Sequence, residues 1–220
     1  MSNLFDESPI LGAIPIVGGL YATYHVEDPV VRRIAVVVCI IVLLFLLYFY
    51  RNPPSETGWA DNVIVAPSYG TVSKIGEKST SYHSKFLDGA NNAYTYVCIF
   101  LSPIDVHQQY YPINGHVINR VYDDTGKFKL AYELDKSDEN EKKLHFINTS
   151  HGIVTVTQIA GVLPRRIVSD YELGPCEAGQ RFGMIKFGSR VDLALPSEGL
   201  TLTIKEGDIL TGGQPIGYYQ

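Results

Sequence analysis

An uncharged apolar run near the N-terminus constrains the fold of this chain more than any other feature. Residues 34–50 contain no charged side chain over seventeen positions, the short end of the roughly 17–25 residues that cross a bilayer as a helix. Arginines flank both ends of the run, and tyrosines near its C-terminal end suit a membrane interface. A buried core helix is the alternative, but no comparable apolar partner follows in the sequence. We therefore predict a membrane anchor over residues 1–51, with a span of about 34–50.

A shorter apolar stretch, residues 9–20, precedes this run and is rich in Gly and Pro. These residues break a helical pattern, so we expect a re-entrant or interfacial segment there. A cleaved signal peptide is disfavoured, because the long apolar run starts late and no small-residue cleavage site follows it.

The pattern changes to β after Pro53 and Pro54, which interrupt any helix. Short runs rich in β-branched and aromatic residues then alternate with Gly and Pro. Predicted strands cover residues 63–66, 94–101, 116–122, 144–147, 153–159, 166–171, 182–187 and 191–195. We predict a mainly β fold over residues 52–220, an antiparallel sandwich or barrel-sandwich-like domain. The charged run at 135–143 is expected to be a solvated loop or an exposed turn.

Charge and cysteine content exclude several functional classes. The formal net charge is −5 and the pI is about 5.6, which argues against a nucleic-acid binder. Cys39, Cys98 and Cys176 are widely spaced and match no zinc pattern, and no pair of histidines has metal-ligand spacing. We predict no metal site, and cysteines that serve as packing residues in a reducing compartment.

Asp105 and His107 form the first candidate catalytic constellation. They follow a strongly predicted strand and stand two residues apart, so in extended backbone they share one face. A carboxylate beside an imidazole fixes its tautomer and raises its basicity, as a proton-transfer site requires. A histidine in a surface loop is the commoner explanation of such a pair.

Gly188 and Ser189 join two of the predicted strands and form the second constellation. The ordinary interpretation is a turn, since Gly allows positive φ and Ser bonds its own backbone. The alternative is a site of chain cleavage, because glycine leaves its carbonyl carbon unshielded and the following hydroxyl can attack it. Taken alone, the pair favours a turn.

Several segments together resemble the phosphatidylserine decarboxylase family. Residues 100–112 resemble the family's Phe-Met-Ser-Pro-x-Asp-Val-His segment, and residues 49–53 resemble the aromatic-Arg-Asp-Pro element that follows the anchor of its short forms. Further matches follow in the family's order at residues 126–128, 135–137, 139–141, 158–161, 165–168 and 188–189. The resemblance runs from about residue 49 to residue 217.

This resemblance implies a specific chemistry. The Gly188-Ser189 bond would cut itself, and Ser189 would become a pyruvoyl group that forms a Schiff base with the substrate amine and accepts electrons as carbon dioxide leaves. His107 would move protons. The expected reaction converts phosphatidylserine into phosphatidylethanolamine at a membrane, with the phospholipid and the two cleavage fragments as partners.

Two departures from the family pattern concern the surroundings of His107. Residues 66–70 fall where the family has Pro-Ala-Asp-Gly, and Tyr69 replaces the aspartate that in the family supports the histidine during self-cleavage. His107 is followed by Gln-Gln-Tyr, where long members carry a second histidine and short members an Asn-Arg pair. Asp105 is then the nearest substitute carboxylate.

Arg165 and Arg166 are candidate ligands of a lipid phosphate, because guanidinium groups bind phosphate bidentately. Two solvated arginines at a turn are an equally good interpretation. An uncleaved, membrane-tethered lipid-binding relative is the main alternative function, favoured by Tyr69. A carrier domain with barrel-sandwich hairpins is another, but the tail lacks an attachment lysine. The sequence is compatible with a monomer or a homo-oligomer.

Overall fold

The computed structural model describes residues 9–76, 93–123, 140–161, 167–169, 173–186 and 189–220. The chain divides into two compact units, Met1–Pro53 and Pro54–Gln220, here called the helical unit and the β unit. Arg165, Arg166, Gly188 and residues 124–139 lie outside the described residues.

The helical unit contains two helices within its described part, α1 (Pro9–His25) and α2 (Pro29–Phe49). Asp28 caps α2, since its Oδ1 accepts hydrogen bonds from Val30 N at 2.7 Å and Val31 N at 3.1 Å; Pro29 suits the first helical position. The 21 residues of α2 extend about 31 Å at 1.5 Å per residue, close to the thickness of a bilayer core. By length and composition, α2 could cross a membrane. It begins at Pro29, earlier than the predicted start at residue 34.

The Gly- and Pro-rich stretch before it forms a continuous helix, α1, with Pro15 inside it. The backbone of α1 comes close to α2 at two glycines. A Cβ added to Gly18 would lie 3.4 Å from Cys39 Sγ, and one added to Gly19 would lie 3.5 Å from Cys39 Cβ. Small residues at such a seam allow helices to approach closely. Cys39 thus has the packing role expected of it.

The β unit is built from antiparallel strands, as predicted, so the fold class is confirmed. Hydrogen-bonded ladders join its described strands into three sheets, in the orders β1-β14-β12, β4-β10-β8 and β13-β2-β3-β11-β7-β6-β5-β9. The strands are β1 (Val63–Val65), β2 (Gly70–Gly76), β3 (Tyr94–Leu101), β4 (Gln108–Tyr110), β5 (Gly115–Asp123), β6 (Lys142–Thr149), β7 (Gly152–Ala160), β8 (Ile167–Ser169), β9 (Gly174–Cys176), β10 (Arg181–Ile185), β11 (Ser189–Pro196), β12 (Leu200–Leu202), β13 (Ile209–Leu210) and β14 (Pro215–Tyr219).

Strand β11 lies in the middle of the eight-stranded sheet, between β3 and β7. Alternate residues Val191, Leu193 and Leu195 are fully buried in the main hydrophobic core. This follows from the period of two that sends successive side chains to opposite faces.

The other face of β11 carries a buried ion pair. Arg190 Nε lies 2.9 Å from Asp192 Oδ1, and Arg190 Nη2 donates to Asp192 Oδ2 at 2.9 Å. Both side chains are 0% exposed. The opposite charges of the guanidinium and the carboxylate offset each other, which burial of either charge requires.

The prediction of a solvated loop at residues 135–143 is wrong for its last part. Lys142 and Lys143 belong to β6 and are buried, and Lys142 Nζ lies 4.0 Å from Asp123 Oδ2. The hydroxyl of Tyr122 donates to Glu141 Oε1 at 2.5 Å. Asp123, which pairs with Lys142 across the ladder, offsets the charge of Lys142, so part of this charged run lies in a strand.

Candidate active site

The site lies where the chain passes between two sheets. Residues 102–107 connect β3 of the eight-stranded sheet to β4 of the three-stranded β4-β10-β8 sheet, and residues 186–188 connect β10 back to β11. Because β3 pairs with β11 and β4 pairs with β10, the two connections begin and end at neighbouring strands. One carries Asp105 and His107, and the other leads into Ser189.

Ser189 is the first residue of β11, and its backbone has neighbours on both sides. It pairs with Leu101 of β3 and with Ala160 of β7. The predicted strands on either side of Gly188-Ser189 belong to different sheets, so the pair does not join a simple hairpin. From Ser189 onward, the chain is fixed in the large sheet as β11, between β3 and β7.

His107 is the residue immediately before β4 and is fully buried. Its Nδ1 lies 2.9 Å from the main-chain carbonyl oxygen of Asp105. A carbonyl only accepts hydrogen bonds, so Nδ1 carries the proton and the lone pair resides on Nε2. The imidazole is therefore in the tautomer that accepts a proton at Nε2.

The carboxylate of Asp105 closes the turn that follows β3. Its Oδ2 accepts a hydrogen bond from Ser102 N at 2.7 Å, and Asp105 N donates to the carbonyl of Ser102 at 2.9 Å. The sequence predicts that this carboxylate fixes the tautomer of His107. The carbonyl of the same residue makes the contact with Nδ1.

The end of β10 is also hydrogen-bonded to the connection that carries His107. The main-chain N–H of Ile185, at the end of β10, donates to the carbonyl of His107 at 3.2 Å. From Ile185, three residues lead to Ser189, which pairs with Leu101 at the end of β3. The segment that contains His107 therefore follows Leu101, the ladder partner of Ser189, and is hydrogen-bonded to Ile185, which precedes Ser189 by four positions.

Tyr69 lies beside the strand that follows His107. Tyr110 N donates to the carbonyl of Pro67 at 2.9 Å, and Ser68 forms a bridge with Gln109. The Tyr69 ring is half-buried, with its centroid 6.3 Å from that of Tyr110. Residues 67–69 therefore lie beside β4, the strand that follows His107.

Both tyrosine rings pack against Gly212. A Cβ added there would lie 2.5 Å from Tyr110 Cε2 and 2.8 Å from Tyr69 Cδ2, so only glycine leaves room for them. Burial raises the pKa of Tyr110, and the nearby Tyr69 raises it further, against a smaller lowering by Arg181. Tyr110 is therefore a neutral phenol at every pH at which the protein would work.

Three buried polar residues near His107 were not assigned a role from the sequence: Gln109, Gln158 and His145, each 0% exposed. Gln109 Nε2 donates to the carbonyl of His107 at 2.8 Å, and Gln158 Nε2 donates to Gln109 Oε1 at 2.9 Å. The available signal was a glutamine inside a run of β-branched residues at 153–159.

Comparison with known proteins decides the family. The profile of the family described as phosphatidylserine decarboxylase matches residues 42–218. A phosphatidylserine decarboxylase proenzyme of Wolbachia sp. subsp. Brugia malayi (strain TRS) is 36% identical over 182 residues, 82% of this chain and 77% of that protein. The proenzyme of Chlorobaculum tepidum is 39% identical over 173 residues, 78% of this chain and 76% of that protein. This chain belongs to the phosphatidylserine decarboxylase family.

Membership of the phosphatidylserine decarboxylase family makes the chain a decarboxylase, a carboxy-lyase of phospholipid metabolism. The region matched by the family starts inside α2 and ends in β14, so it includes the β unit and both connections of the candidate site. The proenzyme of Wolbachia pipientis wMel is similar to the same extent, 36% identical over 182 residues, 82% of this chain and 77% of that protein.

Proposed function

We propose that this decarboxylase acts on phosphatidylserine, releases carbon dioxide to form phosphatidylethanolamine, and activates itself by cutting between Gly188 and Ser189. The observation that supports the proposal is the pairing of the flanking strands, β3 with β11 and β4 with β10, because His107 lies between β3 and β4 and Ser189 begins β11. The relatives are named as proenzymes, which supports a chain that must be processed.

Cleavage needs only groups of this chain and water. The hydroxyl of Ser189 attacks the carbonyl carbon of Gly188, and the C–N bond breaks as the C–O ester bond forms. Loss of the Cα proton of residue 189 then expels the Gly188 carboxylate, which separates the two chains. The enamine left at residue 189 takes up water and releases ammonia, which leaves a ketone.

His107 is the residue suited to these proton transfers. Its Nδ1 proton is directed to the carbonyl of Asp105, so Nε2 can accept a proton from Ser189 during cleavage and return one to the product carbon during turnover. Burial removes competing water from the imidazole.

The residues present fit a pyruvoyl group at position 189. A break before Ser189 leaves that residue at the start of β11, where its ladder neighbours Leu101 and Ala160 hold the new end. Such a group, once formed, supplies a ketone that reacts with the substrate amine and takes up the electron pair released with carbon dioxide.

The two fragments, 1–188 and 189–220, would stay together without a covalent link. The second fragment contains β11 to β14, and three of these strands pair with the first fragment: β11 with β3 and β7, β13 with β2, and β14 with β1. Separation would break four ladders and expose the buried face of β11, which makes it unfavourable.

A lipid substrate agrees with the apolar helix α2, which could hold the enzyme at the bilayer where its substrate resides. We further propose that Arg165 or Arg166 binds the lipid phosphate, as guanidinium groups do, and that the β unit faces a reducing compartment. A homo-oligomer is compatible with this proposal.

A second candidate function is that of an uncleaved protein that only binds lipid headgroups. Tyr69 favours it, because a phenol packed against Tyr110 cannot supply the charge of the family's aspartate. The two functions differ in whether carbon dioxide is released.

The test is release of carbon dioxide from phosphatidylserine labelled in the serine carboxyl group, normalised to the cleaved fraction of the chain. His107→Ala should lower the normalised rate at least about a hundredfold, as loss of a general acid–base group does. His116→Ala, which changes an exposed histidine of β5, is the matched control and should leave the rate unchanged. Equal rates for both variants would remove His107 from the mechanism.

A further inference from the structure

A chain of hydrogen bonds runs through the buried part of the β unit and ends at the main chain of His107. Arg120 Nε donates to His145 Nδ1 at 3.1 Å, and His145 Nε2 lies 2.9 Å from Gln158 Oε1. Gln158 Nε2 donates to Gln109 Oε1 at 2.9 Å, and Gln109 Nε2 donates to the His107 carbonyl at 2.8 Å. The chain thus crosses from β5 through β6 and β7 to β4.

Every bond in this chain points the same way. A guanidinium has donors only, so His145 Nδ1 is an acceptor and its Nε2 carries the proton. That proton is donated to Gln158 Oε1, which directs the amide N–H of Gln158 to Gln109 and, in turn, the amide N–H of Gln109 to His107. One fixed cation at Arg120 therefore determines the orientation of two amides and the tautomer of His145.

His145 cannot reverse this order by taking a second proton near neutral pH. The pKa of His145 is lowered to about 3, chiefly by burial; the hydrogen bond with Gln158 opposes this shift, and the nearby charges of Arg120 and Lys143 add to it. The imidazole is therefore a neutral relay of orientation, with one donor and one acceptor.

The packing around these hydrogen-bonded side chains leaves space for their polar groups. A Cβ added to Gly183 of β10 would lie 3.0 Å from Gln158 Nε2 and 2.5 Å from the carbonyl of Val168. A glycine in this strand therefore lets the Gln158 amide reach Gln109. The ring of Phe182 contacts the His145 imidazole, with centroids 4.7 Å apart.

We propose that Gln109 and Gln158, oriented by His145 and Arg120, are positioning residues that hold the main chain of His107 so that its imidazole keeps Nε2 available to the reacting atoms. This inference rests on the proposed role of His107. The carbonyl of His107 accepts from both Gln109 Nε2 and Ile185 N. Those two bonds hold the main chain of His107 in place, and from that position His107 Nδ1 donates to the carbonyl of Asp105.

A buried polar network of this kind costs folding free energy, so we expect it to have a positioning role. Burying amides and an imidazole in a β core is tolerated only when each is hydrogen-bonded, and apolar residues of the same shape would be at least as stable. In return, a network of directional hydrogen bonds specifies one geometry, and misplacement of a catalytic group by about 1 Å can cost roughly a hundredfold in rate.

The experiment compares three buried glutamine variants in the full-length protein. Gln109→Leu removes the last link, and Gln158→Glu keeps size and polarity but has no N–H for Gln109 Oε1. Gln108→Leu is the matched control, because Gln108 is also fully buried in β4, while its side chain contacts Arg181 and Met184 outside the chain of bonds. Thermal unfolding of each variant shows how far stability has changed.

Positioning predicts a fall in kcat of about tenfold or more for Gln109→Leu and Gln158→Glu, with KM unchanged, and a smaller effect for Gln108→Leu. Equal losses in all three variants, in proportion to their stability, would show a structural role only and overturn the proposal. Unchanged kcat in the first two would overturn it as well.

A second readout does not depend on activity. Nitrogen-15 spectra of the histidines, recorded on the uncleaved Ser189→Ala protein, report the tautomer of each ring. We expect His145 protonated at Nε2 and His107 protonated at Nδ1, with the His107 tautomer becoming mixed in Gln109→Leu but not in Gln108→Leu. A His107 tautomer unaffected by both variants contradicts the proposal. If the parent protein neither cleaves nor decarboxylates, the proposed function fails, and these spectra still test the network.

Discussion

The main-chain carbonyl oxygen of Asp105 lies 2.9 Å from Nδ1 of His107, so a peptide group selects the tautomer of the candidate base. The carboxylate of Asp105 accepts from Ser102 N at 2.7 Å and closes the preceding turn. Asp105 therefore orients the histidine through its main-chain carbonyl, whereas its carboxylate stabilises the turn before His107.

This relationship predicts different results for two substitutions of Asp105. Asp105→Asn keeps an oxygen that can accept from Ser102 N, so it should lose about one hydrogen-bond increment, 0.5–1.5 kcal/mol, and at most about tenfold in cleavage and turnover. Asp105→Ala opens the turn and should lose more. The rates of chain cleavage and of carbon dioxide release measure both. Equal, large losses for Asn and Ala would mean that the charge itself is required.

Removal of the Tyr69 hydroxyl should change the rate of chain cleavage little. Its ring contacts Tyr110 and approaches Gly212, and Tyr69→Phe keeps the ring. We expect a decrease in cleavage rate of no more than about tenfold, the effect of one neutral hydrogen bond. Tyr69→Asp should hasten cleavage if a carboxylate at this position supports His107. A time course on a denaturing gel decides both, and an inactive Tyr69→Phe would assign the hydroxyl a chemical role.

The buried ion pair on β11 should be a stability determinant. Asp192→Leu leaves the Arg190 guanidinium, 0% exposed, without its carboxylate, which should cost about 3–5 kcal/mol in the free energy of unfolding. The double variant Arg190→Met with Asp192→Leu removes both charges and should recover most of that loss. Denaturant unfolding in the Ser189→Ala background measures this without interference from cleavage. A double variant as unstable as the single one would contradict the account of the pair.

Stability should fall as the pH falls because of His145. Its pKa is lowered by burial from about 6.5 to about 3, so the unfolded chain binds a proton that the folded protein rejects. The contribution is complete above pH 6.5 and is lost progressively between pH 6.5 and about 3, by up to about 1.4 kcal/mol per pH unit. His145→Gln should flatten this slope, whereas the exposed His116→Gln should not. A slope unchanged by His145→Gln would contradict the assigned protonation state.

Membrane attachment should depend on α2. The full chain should resist carbonate extraction, and a chain that begins at Pro54 should be released into the supernatant, because only Met1–Pro53 contains the apolar helices among the described residues. Deletion of residues 9–27 removes α1 but keeps α2 and should leave the protein in the membrane. Release of that deletion variant would show that the two helices anchor the protein only together.

Much of the fold follows from local patterns that the sequence displays directly. The period of two in residues 191–195 predicts a strand with a buried face, and β11 has that face. The uncharged run at 34–50 predicts a helix, and α2 contains most of it. The pairing of strands distant in sequence was harder to predict. Nothing local indicates that Lys142 and Lys143 lie buried in a strand, because their burial depends on the pairing of β6 with β5 and β7.

The candidate site shows the same division. His107, Asp105 and Ser189 carry recognisable chemistry at fixed spacings, so sequence analysis could name them. The contact of Asp105 through its carbonyl and the chain from Arg120 to Gln109 depend on which strands become neighbours. From the sequence, Gln158 is an ordinary polar residue among β-branched neighbours, and only the order of the strands in the sheet shows that it is buried.

The central claim is that the chain cuts itself between Gly188 and Ser189, and intact-mass analysis of the purified protein tests it most directly. We expect two tightly associated fragments, 1–188 and 189–220, the second with a blocked N-terminus and the mass of a pyruvoyl group in place of serine. Ser189→Ala should stay as one chain of 24.4 kDa. A parent protein that also stays at 24.4 kDa after prolonged incubation would contradict self-processing and favour the uncleaved lipid-binding function.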